Sequence, residues 1–145
     1  MSITLPTSVK NFFLQKSWKP SSFQQKAWDA YLKGYSGLIH APTGTGKTLA
    51  ACLGPFIENL NNFSTVKTGP RLIWITPMRA LASDTEKSLR EICEGIGLPW
   101  EIKRRTADTN SKDRLNIRKK PPQLLITTPE SLDRKSTRLN SSHRC

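Results

Sequence analysis

Eight residues, Ala41-Pro42-Thr43-Gly44-Thr45-Gly46-Lys47-Thr48, constrain this 145-residue chain more than any other stretch. A glycine-rich turn ending in Gly-Lys-Thr is the sequence form of a phosphate-binding loop that follows a strand and opens a helix. Glycines let the backbone turn tightly, so that its N–H groups point inward at phosphate oxygens. Those amides and the N-terminus of the following helix together make a concentrated positive field. The expected ligand is a nucleoside triphosphate, cradled by Thr43, Gly44, Thr45 and Gly46. Lys47 is expected to reach the terminal phosphates and the Thr48 hydroxyl to enter the shell of a bound magnesium ion.

The flanking sequence fits that context. Gly37–His40 (GLIH) reads as the strand before the loop. Leu72–Thr76 and Leu124–Thr128 are continuous apolar runs, the pattern of strands buried on both faces, and Trp100–Arg105 is a weaker, alternating fourth. Helical spacing appears in Phe23–Tyr35, with a stop at Gly34, in Thr48–Leu60, and in Leu81–Ile96, where Leu81, Thr85, Leu89, Ile92 and Ile96 share a face. Gly54-Pro55 is expected to disturb the second of these. Asn61–Pro70 reads as a polar connector and Thr106–Ser111 as a turn. Strands alternating with helices at this spacing predict an α/β fold with a largely parallel sheet flanked by helices.

Charge points to a polyanionic partner. Lys and Arg number 23 against 11 Asp and Glu, a formal net charge of +12. The three cysteines, Cys52, Cys93 and Cys145, have no metal-ligand spacing and fit reduced thiols in a cytoplasmic protein. The N-terminus lacks the pattern of a signal peptide, and no run of apolar residues is long enough for a membrane span, so no membrane partner is expected.

The phosphate loop is shared by kinases, GTPases, transporters and helicases, so the reaction must be read elsewhere. No lid arginine cluster of a kinase and no Asn-Lys-x-Asp guanine element of a GTPase is present. Ala41 stands where the common pattern has its first glycine, and Ala-x-Thr-Gly-x-Gly-Lys-Thr is the form of superfamily 2 helicases. Pro20-Ser21-Ser22-Phe23-Gln24-x-x-Ala27 resembles the Q motif, in which an amide offers the adenine edge a donor and an acceptor together. Trp18 is placed either to stack on the base or to join the core. Thr76-Pro77-Met78-Arg79-Ala80-Leu81-Ala82 resembles motif Ia, Arg105-Thr106-Ala107-Asp108-Thr109 resembles an R-x-G-D-T element, and Thr127-Thr128-Pro129-Glu130-Ser131-Leu132 resembles a T-P-E-S-L motif. Ala107 replaces a glycine, which puts the local turn geometry in question.

From about Phe12 to Leu132 the chain resembles the large helicase-related (Lhr) family, and within it the bacterial ligase-associated DExH-box branch. The resemblance implies an incomplete RecA-like domain over residues 1–132, with residues 1–19 as a lead-in. It implies an ATP-dependent DNA helicase or translocase in DNA repair, using ATP and Mg2+, tracking on single-stranded DNA beside a DNA ligase in the bacterial cytoplasm. By the same resemblance Gln24 meets adenine, while Thr76, Pro77, Arg79, Arg105, Thr106, Thr128, Pro129 and Glu130 contact nucleic acid. An RNA helicase and a non-catalytic basic nucleic-acid-binding module are the alternatives. The family's D-E-x-H element and second RecA-like domain do not occur among these residues. The expectation is therefore weak nucleotide binding, negligible hydrolysis, and strand edges left unpaired where the D-E-x-H strand would lie.

Residues 133–145, DRKSTRLNSSHRC, follow where the family continues in an apolar helix. Their first eleven match one reading frame of a common sequencing adapter, so the tail is expected to be non-native. Without it the chain keeps 23 − 4 = 19 Lys and Arg against 11 − 1 = 10 Asp and Glu, still +9. Genomic sequencing across codon 132 should show the gene departing from this tail; an uninterrupted gene encoding it would refute the adapter origin.

Overall fold

The computed structural model describes residues 4–42, 46–62 and 69–132. The predicted non-native tail and the loop residues Thr43, Gly44 and Thr45 lie outside them. The elements in chain order are α1 (Thr7–Gln15), α2 (Ser22–Leu32), α3 (Lys47–Asn61), β1 (Leu72–Ile75), α4 (Arg79–Ile96), β2 (Ile102–Arg105), α5 (Ser111–Lys119) and β3 (Leu124–Thr127). They divide into two units, Met1–Val66 with Ile92–Pro99, and Lys67–Glu91 with Trp100–Cys145. Among the described residues no helix is long and apolar enough to cross a membrane.

The first unit is helical. Its core holds Val9, Phe12, Phe13, Trp28, Leu53, Phe56 and Ile57, all buried. Phe13 lies edge-on to Trp28, with ring centroids 5.9 Å apart, which seats α1 on α2. Pro55 lies inside α3, yet the helix continues to Asn61. The predicted disturbance at Gly54-Pro55 therefore does not end the helix. Gly54 has a packing reason: a Cβ there would meet the Tyr31 ring at 2.9 Å, so only glycine lets α2 lie this close to α3. Burial raises the pKa of Tyr31, and the charge and hydrogen bond of Glu58 raise it further. Cys52 and Cys93 are buried and are not joined in a disulfide. Burial pushes the Cys52 thiol well above its ordinary value, Cys93 adds to this, and a backbone hydrogen bond opposes it. A thiol so placed stays protonated and unreactive.

The second unit is a three-stranded parallel sheet in the order β1-β3-β2. Consecutive strands join through α4 and α5, as parallel pairing requires a crossover. β3 is central and buried throughout, as its unbroken Leu124-Leu125-Ile126 run predicts. β1 differs from expectation. It is an edge strand with alternating burial, and Ile73 and Ile75 are 50% and 48% exposed.

Two further expectations need correction. Gly37–His40 is not a strand: the segment pairs with none of the three strands, and Leu38 is 92% exposed. Two apolar residues do not hold a strand without a hydrogen-bonded neighbour. On α4, Leu81 is exposed and Ala82 is buried in its place. The helix begins at Arg79, and its buried face follows Ala82, Leu89, Ile92, Cys93 and Ile96. α1 and α5 went unpredicted: α5 buries only Ile117, and α1 is nine residues long, although its buried Val9, Phe12 and Phe13 do stand at helical spacing.

Gly95 tests the packing of the first unit. It sits in α4, where alanine should add up to about 1 kcal/mol of helix propensity, but a Cβ there would overlap the Phe12 ring. Gly95→Ala should therefore destabilise the protein by about 1–3 kcal/mol in urea unfolding; a stabilised variant would show that Phe12 moves aside freely.

Candidate nucleotide and nucleic-acid sites

The phosphate loop ends at Gly46, the N-cap of α3, in the left-handed conformation (φ 89°, ψ 32°). A side chain at this position would be strained, and its Cβ would also strike the Gln24 amide. Lys47 and Thr48, the first two residues of α3, are both exposed. The first turn of this 15-residue helix carries no acidic residue, so nothing in that turn offsets the positive end of the helix dipole.

α2 fixes that terminus from behind. The Gln24 side-chain Nε2 donates to the Gly46 carbonyl at 3.1 Å, and its Oε1 accepts from the Ser21 N–H at 2.9 Å. One turn further, Trp28 Nε1 donates to the Leu49 carbonyl at 2.9 Å in a fully buried setting. Gln24 is itself only 4% exposed. The residue expected at the adenine edge thus already spans from the start of α2 to the end of the phosphate loop. An amide retains a second N–H and a second lone pair beyond those two bonds. Ser21 and Gln24 form a capping box at the start of α2, which places the Ser21 side chain toward the Gln24 N–H. Trp18 is 46% exposed and lies edge-on to Phe12 and Phe13, with Lys16 over its ring.

The other candidate residues gather in the second unit. The register aligns Ile75, Thr127 and Arg105 across the sheet, so the loops after all three strands leave from the same end. Carboxyl ends of parallel strands are where ligands bind in open α/β sheets. Threonines fasten these loops together. Thr76 N–H donates to the Thr127 carbonyl at 2.9 Å, Thr127 Oγ1 donates to the Arg105 carbonyl at 2.7 Å, and Thr76 Oγ1 donates to the Met78 carbonyl at 3.0 Å. Thr76, Thr106 and Thr128 are buried, while Pro77, Arg79, Pro129 and Glu130 are exposed and Arg105 is intermediate.

The Ala107 substitution leaves the turn intact. Thr106 N–H donates to Thr109 Oγ1 at 2.9 Å and Thr109 N–H to the Thr106 carbonyl at 3.1 Å. Arg114 Nη2 holds the carbonyls of Thr106 and Ala107, each at 3.2 Å. Ser17 is the only non-glycine with positive φ among the described residues, so Ala107 needs no glycine-like backbone. Alongside runs a cleft of about 660 Å³ between α4, β2 and α5, whose lining alternates Arg90, Arg104 and Lys120 with Glu86, Asp108 and Asp113.

The sequence pattern of the DEAD/DEAH box helicases matches residues 21–144. The chain belongs to this family. It is 37% identical over 134 residues to the Lhr helicase and probable uracil glycosylase of Mycolicibacterium smegmatis, covering 86% of this chain and 9% of that protein. The ATP-dependent helicase Lhr-Core of Methanocaldococcus jannaschii is 36% identical over 140 residues, covering 88% of this chain and 17% of that one. The solved structure of Mycobacterium smegmatis Lhr bound to ssDNA and AMP-PNP superposes with a TM-score of 0.75 and 33% identity, over 88% of this chain and 17% of that one. The chain therefore spans less than a fifth of the length of these relatives. The superposition bears out the α/β fold of a RecA-like helicase domain.

Sequence reasoning passed over Thr109 and Arg114, which shape the loop, and Asp108, which pairs with Arg79. Asp108 and Thr109 stand in the R-x-A-D-T string, but nothing in the spacing announces Arg114. Gln24→Ala removes two part-buried hydrogen bonds at once and should cost about 1–3 kcal/mol. Gln25→Ala, which removes the one bond from Nε2 to the Pro20 carbonyl seen among the described residues, should cost less. Equal unfolding midpoints for the two variants would refute the anchoring role of Gln24.

Proposed function

We propose that this chain is the N-terminal part of the first RecA-like ATP-binding domain of an ATP-driven DNA helicase or translocase. Residues 1–19 lead into it, and the domain runs to Leu132. The observation that carries the reading is Gly46 in the left-handed conformation opening α3, with Lys47 and Thr48 exposed at an uncompensated helix N-terminus. That arrangement suits a triphosphate. Lys47 pairs with the terminal phosphates, Thr48 supplies an oxygen to the magnesium ion, and Gln24 reads adenine with the amide functions it has to spare. The loop from Thr43 to Gly46 contributes backbone N–H groups. Bound ATP with magnesium supplies the activated phosphoanhydride; the chain's own residues bind and orient it.

Nucleic acid is assigned to the aligned loops of the second unit, with Arg79 and Arg105 as phosphate partners and Pro77, Pro129 and Glu130 shaping the track. Thr76, Thr106 and Thr128 belong to the same loops and act mainly by holding them in place. DNA is favoured because the similar Lhr structure is described as bound to ssDNA. Repair work, a DNA ligase as neighbour and a bacterial cytoplasmic setting complete the proposal; they rest on the likeness to the ligase-associated branch. The D-E-x-H element and a second RecA-like domain would belong to the longer enzyme, so hydrolysis by these 145 residues should be negligible.

A fluorescent ATP analogue titrated into the chain with Mg2+ should bind weakly, and Lys47→Ala should abolish that binding without changing the unfolding midpoint. Equal binding by the variant would refute the assignment. In the same assay competition by unlabelled ATP should succeed and vigorous turnover should be absent; DNA-stimulated hydrolysis would overturn the view that half a site is inert.

A further inference from the structure

The guanidinium of Arg79 is not free at the sheet end. Its Nη1 lies 2.5 Å from Asp108 Oδ1, an ion pair that links the loop after β1 to the loop after β2. Both side chains are open to solvent, 55% and 71% exposed. A pair this exposed contributes little to stability. Its surroundings are nonetheless tied by hydrogen bonds. The loop that carries Asp108 is closed by both Thr106–Thr109 hydrogen bonds and clamped by Arg114 through two carbonyls. The carboxylate is therefore presented from a hydrogen-bonded turn to a long side chain that has many rotamers.

Arg79 also begins α4, where the helix dipole disfavours a cation. An isolated arginine there would swing away from the helix end. A guanidinium has five N–H donors in a planar fork. With Nη1 engaged by the carboxylate, other N–H groups of the fork remain available for bidentate contact with a phosphate.

We propose that Asp108 is a positioning residue for the nucleic-acid site: it holds one edge of Arg79 so that the other meets a backbone phosphate. This rests on the assignment of the loop after β1 to nucleic acid. The consequence runs against simple electrostatics. Removing a negative charge beside a polyanion's path should by itself tighten binding; removing a positioning carboxylate should weaken it.

The test is fluorescence anisotropy of the 145-residue chain with a labelled single-stranded oligodeoxynucleotide, across a salt series from 50 to 200 mM. Asp108→Asn should raise Kd and make the slope of log K against log salt shallower by about 0.7, the value for one phosphate contact on a single strand. Over that fourfold salt range the wild-type advantage should then shrink by about 2.6-fold. Arg79→Ala should show the same slope change, and the double variant should behave like Arg79→Ala alone. Asp108→Glu, which keeps the charge and lengthens the reach, should recover part of the loss. Tighter binding by Asp108→Asn, or additive losses in the double variant, would overturn the positioning role while leaving the nucleic-acid assignment standing. No binding by the wild type, or no effect of Arg79→Ala, would overturn that assignment and this proposal with it.

Discussion

The helical unit depends on one seam, the contact of α2 with α3. Gln24, Trp28 and Tyr31 are four and three residues apart on α2, so they form a single stripe. The stripe meets α3 at Gly46, Leu49 and Gly54: two side-chain hydrogen bonds to backbone carbonyls, then a ring against a glycine. A helix N-terminus that exposes a lysine and points its amides outward gains little from its own sequence. Here its position is imposed by a neighbour through buried, directional bonds. The same bonds explain Gly46 twice over, since its left-handed backbone and the nearby Gln24 amide each exclude a side chain.

In the sheet unit the equivalent constraint is parallel register. With Ile75, Thr127 and Arg105 level, the chain emerges three times at one end of the sheet. Threonine suits this place because it is small and can bond through both hydroxyl and backbone: the Thr127 hydroxyl and the Thr76 N–H tie one loop to the next. That is why Thr76, Thr106, Thr127 and Thr128 are buried, although threonine is usually a surface residue. The result is a set of exposed side chains, Arg79 foremost, standing on loops that have little freedom. At the sheet's outer margin β1 carries two half-exposed isoleucines on an unpaired edge, a surface that proteins generally cover.

Membership in the DEAD/DEAH box family and likeness to Lhr helicases give these features a common meaning without making them redundant. The likeness extends over most of this chain but under a fifth of its relatives. This chain holds an exposed helix N-terminus in one unit and a strand-end platform in the other, each built and braced by its own residues.

Some of this is determined by sequence alone. Gly44, Gly46, Lys47 and Thr48 carry the sequence form of a phosphate loop, an expectation that rests on local properties, backbone conformation and charge at that spacing. The Leu124-Leu125-Ile126 run announces a buried central strand because nothing polar interrupts it. The helices α2, α3 and α4 are legible from the spacing of their apolar residues. Tertiary structure decided the rest, since pairing and partner choice are non-local. Gly37–His40 has the composition of a strand but no neighbour to pair with, and β1 has the composition of a buried strand but lies at an edge. Ala107 sits in a turn closed by Thr106 and Thr109 and clamped by Arg114, seven residues later. Most of all, a string of residues shows Arg79 and Asp108 as unrelated members of two motifs. Only the parallel register, by bringing two strand ends side by side, makes them an ion pair.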